Sequence, residues 1–398
     1  MTESKMPYVR LGKSGLKVSK LILWNSWVLD EKTGIEHIKY AYENGINTFD
    51  TANVYSAGMS EIILGKALKE IGVYNPVTIG SYKRAPGEKD LDKMGYVNQH
   101  GLSRKHIFES VQASLKRLQL DYIDLLQCHR FDYDTPIEET MQALHDVVKA
   151  GYVRYIGMSS CWAYQFQAMQ NRTADEFSFH THAHTHTHPY SHPHPPLHLT
   201  YPISPPPSLG SPADYAINNH LTPFISMQNF HNAAYREEER EMVPTLQMMG
   251  VGMIPWSPLC RGFLARPWQS EETERVKSDP NPQLLSAAPP PLYSGQLTGR
   301  SVLILRSGYK GRGLHKPDES VISINERVAE LAKKRGVSMA QIALAWSFAN
   351  DFVTAPIIGT TKLESLKELI DGVQIQLTPE EKKYLDEPYT PRAISGHS

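Results

Sequence analysis

Short apolar runs bounded by glycine, proline, asparagine or aspartate recur along this chain, and between them apolar residues return at the three- and four-residue spacing of a helix. Residues 8–19 alternate around Lys13-Ser14-Gly15 and predict a short β-hairpin that plugs one end of something larger. Strands are then predicted at 21–23, 46–50, 77–83, 123–129, 153–158, 224–228, 252–255 and 354–358. Helices fall between them. Residues 31–44 are stopped by Gly45, and 59–70 are followed by Gly72. Ser103 starts a helix in which Ile107, Val111, Leu115 and Leu118 recur. The next opens with Thr135 as N-cap, Pro136 at the first position and Glu138 and Glu139 in the first turn, and Gly151 closes it. Further helices are predicted at 237–249, 320–335, 338–349 and 363–370. Regular alternation of strand and helix is the pattern of an α/β protein with a parallel (β/α)8 TIM barrel, here one domain over 7–396.

Two segments break the rhythm. Residues 172–214 hold eight histidines between His180 and His198, then a Pro/Ser run without hydrophobic periodicity, so they cannot form a core. The flanking sequences, 163–171 and 215–219, would join into one helix without the insert. The His-Thr alternation from His180 to His188 is what a CA dinucleotide repeat encodes, which reads as intron sequence retained in the coding sequence. A metal-binding tract is the alternative, but no scaffold fixes its imidazoles, and no metal is assigned. Residues 281–318, with Pro289-Pro290-Pro291 and a Gly-rich basic stretch, form a second insert.

Composition narrows the function classes. Lys+Arg 41 against Asp+Glu 42 leaves a net charge of -1, with no general attraction for nucleic acid or an anionic membrane. Neither an apolar leader in residues 1–20 nor a long apolar run occurs, so secretion and membrane spanning are not expected, and the cytosol is. Cys128, Cys161 and Cys260 are too few and too widely spaced for a disulfide framework or a zinc site. A small neutral partner fits this balance.

The chemistry gathers at predicted strand ends. Asp50 closes the second barrel strand, and Tyr55 follows in the loop Asp50-Thr51-Ala52-Asn53-Val54-Tyr55. A tyrosine with its ordinary pKa of about 10 donates a proton poorly near neutrality, so a catalytic one needs a cation beside it. Lys83 would end the third strand and His129 ends the fourth. Taken singly, His129 reads equally as a satisfied core histidine and Lys83 as a surface lysine. Strand ends of a barrel converge on one mouth, which brings the four together.

Asp-Thr-Ala-x-x-Tyr, and the later Leu126-Gln127-Cys128-His129-Arg130-Phe131-Asp132, resemble the motifs that carry the Asp, Tyr, Lys, His tetrad of the aldo-keto reductases. Among these the chain is similar to fungal versiconal hemiacetal acetate reductases and aryl-alcohol dehydrogenase-like enzymes, over about residues 7–171, 215–280 and 319–396. The resemblance implies NADPH-dependent reduction of a small-molecule aldehyde or ketone, with Tyr55 as proton donor, Lys83 and Asp50 tuning it, and His129 orienting the carbonyl. It also implies that Ser159, Ser160 and Gln228 hold the carboxamide and that Trp256 stacks on the nicotinamide. Ser257, Pro258, Leu259 and Gly262 would carry the pyrophosphate, and Gly359, Thr360, Thr361, Lys362, Ser365 and Glu368 would meet the adenosine end. No GxGxxG follows a strand, so a Rossmann site is not expected.

Departures from the family pattern leave alternatives open. Trp24 and Trp27 stand where relatives have small residues, and Ile79-Gly80-Ser81-Tyr82 before Lys83 is unlike the usual strand ending in Thr-Lys. A different alignment deletes that strand and its lysine, leaving a nucleotide-binding barrel without turnover as the second reading.

Overall fold

The computed structural model describes residues 6–24, 29–72, 77–82, 98–170, 219–268, 318–395 and 397. The insert predicted at 172–214 and, but for Asp318, the one predicted at 281–318 lie outside these residues, as do Lys83 and Trp27. An antiparallel hairpin of β1 (Tyr8–Arg10) and β2 (Lys17–Ser19) precedes eight parallel strands. These are β3 (Ile22–Trp24), β4 (Thr48–Asp50), β5 (Val77–Tyr82), β6 (Ile123–Cys128), β7 (Val153–Ser159), β8 (Phe224–Gln228), β9 (Gly252–Met253) and β10 (Ile357–Ile358). Their order, β10-β3-β4-β5-β6-β7-β8-β9, follows the chain, and parallel bridges Met253–Val353 and Trp256–Ile357 join the two edges. The sheet is therefore a closed (β/α)8 barrel, an architecture that leaves no unpaired edge.

The hairpin seals the amino-terminal end of this barrel. Lys13 N donates to Gly250 O at 2.8 Å, and Lys20 Nζ donates to the carbonyls of Val353 and Thr354, all of which precede strands or bridges of the closing seam. Leu11 and Val18 reach inward to Ile22, Leu125, Ile254, Ala355 and Ile357 and fill the barrel floor. A larger shell between strands and helices includes Phe49, Leu64, Val111, Leu126, Leu144, Ile156 and Phe224, each buried. Full burial of one such side chain stabilises by about 1.5–3 kcal/mol, which is why the outer faces of the strands read as continuous apolar runs.

Among the described residues the helices are α1 (Glu31–Glu43), α2 (Met59–Ile71), α3 (Arg104–Leu118), α4 (Ile137–Lys149), α5 (Ala163–Gln170), α6 (Met242–Met249), α7 (Glu319–Arg335), α8 (Met339–Phe348), α9 (Leu363–Asp371) and α10 (Pro379–Asp386). Ser103 caps α3 as its sequence predicts, accepting from His106 N. Thr135 does not cap α4. Its hydroxyl donates to Asp132 Oδ2, whose carboxylate also accepts from Leu102 N and Asp134 N and so organises the loop after β6. The helix expected over 237–249 is two pieces, a 3-10 turn at Glu237–Glu239 and then α6. Pro244 is the reason: it has no N–H and clashes with the carbonyl four residues back, so it sits in a first turn rather than mid-helix. Pro255 and Pro356, equally without donors, shorten β9 and β10 to two residues each. α10 is not among the predicted helices, although Thr378 and Glu381 form its capping box and Pro379 occupies its first turn.

Candidate active site

All the candidate residues described lie at the carboxyl end of the barrel, because each is the last residue of a strand or follows it in the next loop or the first turns of the next helix. Trp24, Asp50, Ser159 and Gln228 end their strands, and His129, Ser160, Asn229 and Gly359 are the next residues after theirs. Trp24 pairs with Asp50 across β3 and β4, and Ser159 with Gln228 across β7 and β8, which puts them at one level of the mouth.

Asp50 is 3% exposed, and its Oδ1 accepts from Gln228 Nε2 at 3.0 Å. Burial pushes its carboxyl up to about 7, and the Gln228 bond pulls in the opposite direction. Tyr55 opens a turn at 55–58 in which Ser56 and Ala57 take left-handed conformations, with φ of 49° and 52°. Such backbone is costly for residues with a Cβ and recurs at functional sites. The Tyr55 ring meets Trp24 edge-on at 5.5 Å and His129 edge-on at 6.1 Å. Burial raises the phenol well above its ordinary range, and the Asp50 charge raises it further; the Arg130 guanidinium opposes both. Arg130 donates from Nη1 to the carbonyl of His129 at 2.6 Å. The motif over 126–132 alone assigns Arg130 no role; a cation directly after the strand-end histidine is the signal that places it beside the phenol.

On the far side of the mouth Ser159 Oγ donates to Gln228 O at 2.5 Å and lies 3.2 Å from Ser160 Oγ. Ser160, at φ 49°, donates its N–H to Asn229 Oδ1 at 2.7 Å, and Asn229 Nδ2 donates to Glu238 Oε2. Ser159, Ser160 and Gln228 thus converge as expected, while the supporting Asn229 and Glu238 were not foreseen because their importance is purely tertiary. Gln228, expected to face a cofactor carboxamide, has turned its Nε2 toward Asp50.

The loop after β9 has an unusual backbone. Ser257, Cys260, Arg261 and Gly262 all have positive φ, and successive right- and left-handed residues turn N–H groups into concavities that suit an anion. Trp256 stacks one face on Phe230, with ring centroids 4.5 Å apart, and Pro258 and Leu259 follow it. After β10, Gly359 lies so close to the Trp24 indole that a Cβ there would stand 2.2 Å from Cε3. Thr360 Oγ1 donates to Lys362 O, and α9 begins beyond Lys362 without a side-chain cap. Thr361 and Lys362 are exposed, and Ser365 and Glu368 lie on α9. Polar side chains, an aromatic face, a left-handed loop and an uncapped helix start therefore follow one another at the carboxyl ends of β7 to β10.

Comparison with known proteins agrees with this geometry. The aldo/keto reductase family matches over residues 21–189 and 213–389. The versiconal hemiacetal acetate reductase of Aspergillus parasiticus is 39% identical over 98% of each chain. A Schizosaccharomyces pombe protein bearing the name aryl-alcohol dehydrogenase is 41% identical, over 98% of this chain and 97% of its own. An aldo-keto reductase of Alternaria alternata is 37% identical over 99% and 95%. The chain belongs to the aldo/keto reductase family. It is an oxidoreductase that reduces carbonyl groups with a nicotinamide cofactor, and the non-catalytic alternative is not favoured. Among the described residues no helix is long and apolar enough to cross a membrane.

Proposed function

We propose that this chain is a cytosolic NADPH-dependent reductase of aromatic aldehydes or ketones. The observation that carries the reading is the convergence of Asp50, Tyr55 and His129 at one barrel mouth beside Ser159, Ser160 and Gln228. The nicotinamide, when bound, supplies a hydride to the carbonyl carbon. Tyr55 Oη donates its proton to the carbonyl oxygen and recovers one from solvent. A buried phenol is a reluctant acid, so the positive charge of Arg130, together with that of Lys83, makes this donation feasible. His129 orients the carbonyl oxygen against Tyr55.

Ser159, Ser160 and the amide oxygen of Gln228 hold the carboxamide, and Trp256, backed by Phe230, bears on the nicotinamide ring. Ser257, Pro258, Leu259 and Gly262 carry the pyrophosphate on the left-handed loop. Gly359, Thr360, Thr361, Lys362, Ser365 and Glu368 receive the adenosine end. Hydroxyls and a cation at an uncapped helix start favour a 2′-phosphate, hence NADPH over NADH. An aromatic substrate is supported by the name of a relative, an aryl-alcohol dehydrogenase, and by exposed rings after β6 and β7: Tyr133, 62% exposed and packed on Phe131 in the loop after β6, and Tyr164, 66% exposed at the start of α5.

Tyr55→Phe tests the assignment. NADPH-dependent reduction of a nitrobenzaldehyde is expected to be abolished with cofactor affinity nearly unchanged, since the phenol acts in the transition state. Lys83→Met should be almost as damaging and Lys89→Met harmless. Undiminished turnover by Tyr55→Phe would refute the proton-donor role.

A further inference from the structure

The carboxyl-terminal tail returns across the barrel mouth and ties itself to the elements behind the cofactor cradle. Arg392 N donates to Glu237 Oε1 at 2.6 Å, Arg392 pairs with Asp318, and Ser395 N donates to Tyr235 Oη at 2.8 Å. Beyond these ties His397 Nε2 reaches Glu238 Oε1 at 2.8 Å, and its ring stands edge-on to Trp162 at 4.9 Å. Neither side chain of this pair is open to water: His397 is 8% exposed and Glu238 1%.

Glu238 is a carboxylate in a dry site, and such a group persists only where donors satisfy its oxygens. Among the described residues it has two, one on each oxygen. Asn229 Nδ2 donates to Oε2 and His397 Nε2 to Oε1. The donation by Asn229 fixes which way its amide faces, so that its Oδ1 accepts from Ser160 N–H at 2.7 Å. Ser160 needs that bond, because its left-handed backbone is otherwise unfavourable for a residue with a Cβ. A continuous chain of donors and acceptors therefore runs from the tail to the serine pair: His397, Glu238, Asn229, Ser160.

We propose that His397 is a positioning residue for the cofactor, setting the Ser159–Ser160 cradle through Glu238 and Asn229 without touching the nicotinamide itself. The proposal rests on the cradle assignment made above for the cofactor's carboxamide. Without the imidazole, Glu238 loses the donor on Oε1 and is free to turn. Asn229 then loses its fixed partner and Ser160 its acceptor. Trp162 loses the ring that covers its edge, two residues beyond Ser160.

The test uses the full chain with His397→Ala and His397→Gln, the glutamine having an amide donor of similar reach. Loss of a charge-assisted hydrogen bond, partly transmitted, is expected to raise the Kd for NADPH about tenfold in His397→Ala. Turnover at saturating NADPH should stay within about twofold, and His397→Gln should bind nearly as wild type. Residue-resolved amide hydrogen exchange is the second readout: the Ser160 N–H should exchange faster in His397→Ala and regain protection in His397→Gln. Unchanged Ser160 exchange in His397→Ala overturns the relay whatever happens to the cofactor, and so does a glutamine variant as weak as the alanine one. If the wild-type chain fails to bind NADPH, the cofactor reading falls, and the exchange measurement alone decides the relay.

Discussion

Replacing Gln228 with leucine removes, at nearly constant volume, the side-chain donor that Asp50 has among the described residues. Burial sets the Asp50 carboxyl at about 7 in the folded chain, against an ordinary 3.8. A gap of about three pH units at ~1.4 kcal/mol each makes the ionised carboxylate cost roughly 4 kcal/mol in the fold. The folded-state pKa is the higher one, so between about pH 4 and 7 the folded chain holds a proton that the unfolded chain has lost. The contribution of Asp50 to stability accordingly declines as pH rises through that window, and the full cost is present above it. Gln228 offsets part of this cost, since a hydrogen bond to a charged acceptor contributes about 1.5–3 kcal/mol. Its loss is felt only where Asp50 is ionised. Urea denaturation should therefore show Gln228→Leu less stable than wild type by about 2–3 kcal/mol at pH 8.5 and by no more than about 1 kcal/mol at pH 5.5. In an Asp50→Asn background the same substitution should lose its pH dependence. An equal deficit at both pH values, or a pH dependence that survives Asp50→Asn, would refute the coupling.

Other expectations follow from the rim. Lys362→Ala should weaken NADPH about tenfold and leave NADH nearly unaffected, measured by nicotinamide fluorescence, if the lysine meets a 2′-phosphate. A Cβ at residue 359 would stand 2.2 Å from the Trp24 ring, so Gly359→Ala should cost about 1–3 kcal/mol and lower Tm, and Trp24→Ala in the same chain should relieve the clash. Deleting 172–214 should leave the barrel folded and raise Tm, because joining 171 to 215 extends α5 by several backbone hydrogen bonds at about 1 kcal/mol each; an insoluble or lower-melting deletion variant would make the insert part of the fold.

Much of the architecture is local and therefore written in the sequence. The short, mostly buried stretches at 123–128 and 153–159, each followed or preceded by turn residues, are strands as their sequence predicts, and Gly72, Gly250 and Gly336 end their helices in the left-handed conformation that glycine adopts most cheaply. Ser103 and Ser338 announce helix starts through side chains that bond within their own first turn. Strand ends in a barrel share one mouth, so Asp50, Tyr55 and His129 were legible as a group from chain position alone. The capping box at Thr378 was equally local and went unread. What the sequence did not disclose depends on contacts between distant segments. Thr135 looks like a cap but bonds Asp132, because that carboxylate gathers three donors at once. Gln228 faces Asp50 across 178 positions, and His397 reaches Glu238 across 159. Side-chain direction and the satisfaction of a buried charge are settled by whatever the closed barrel brings within hydrogen-bond reach, and no spacing along the chain encodes that choice.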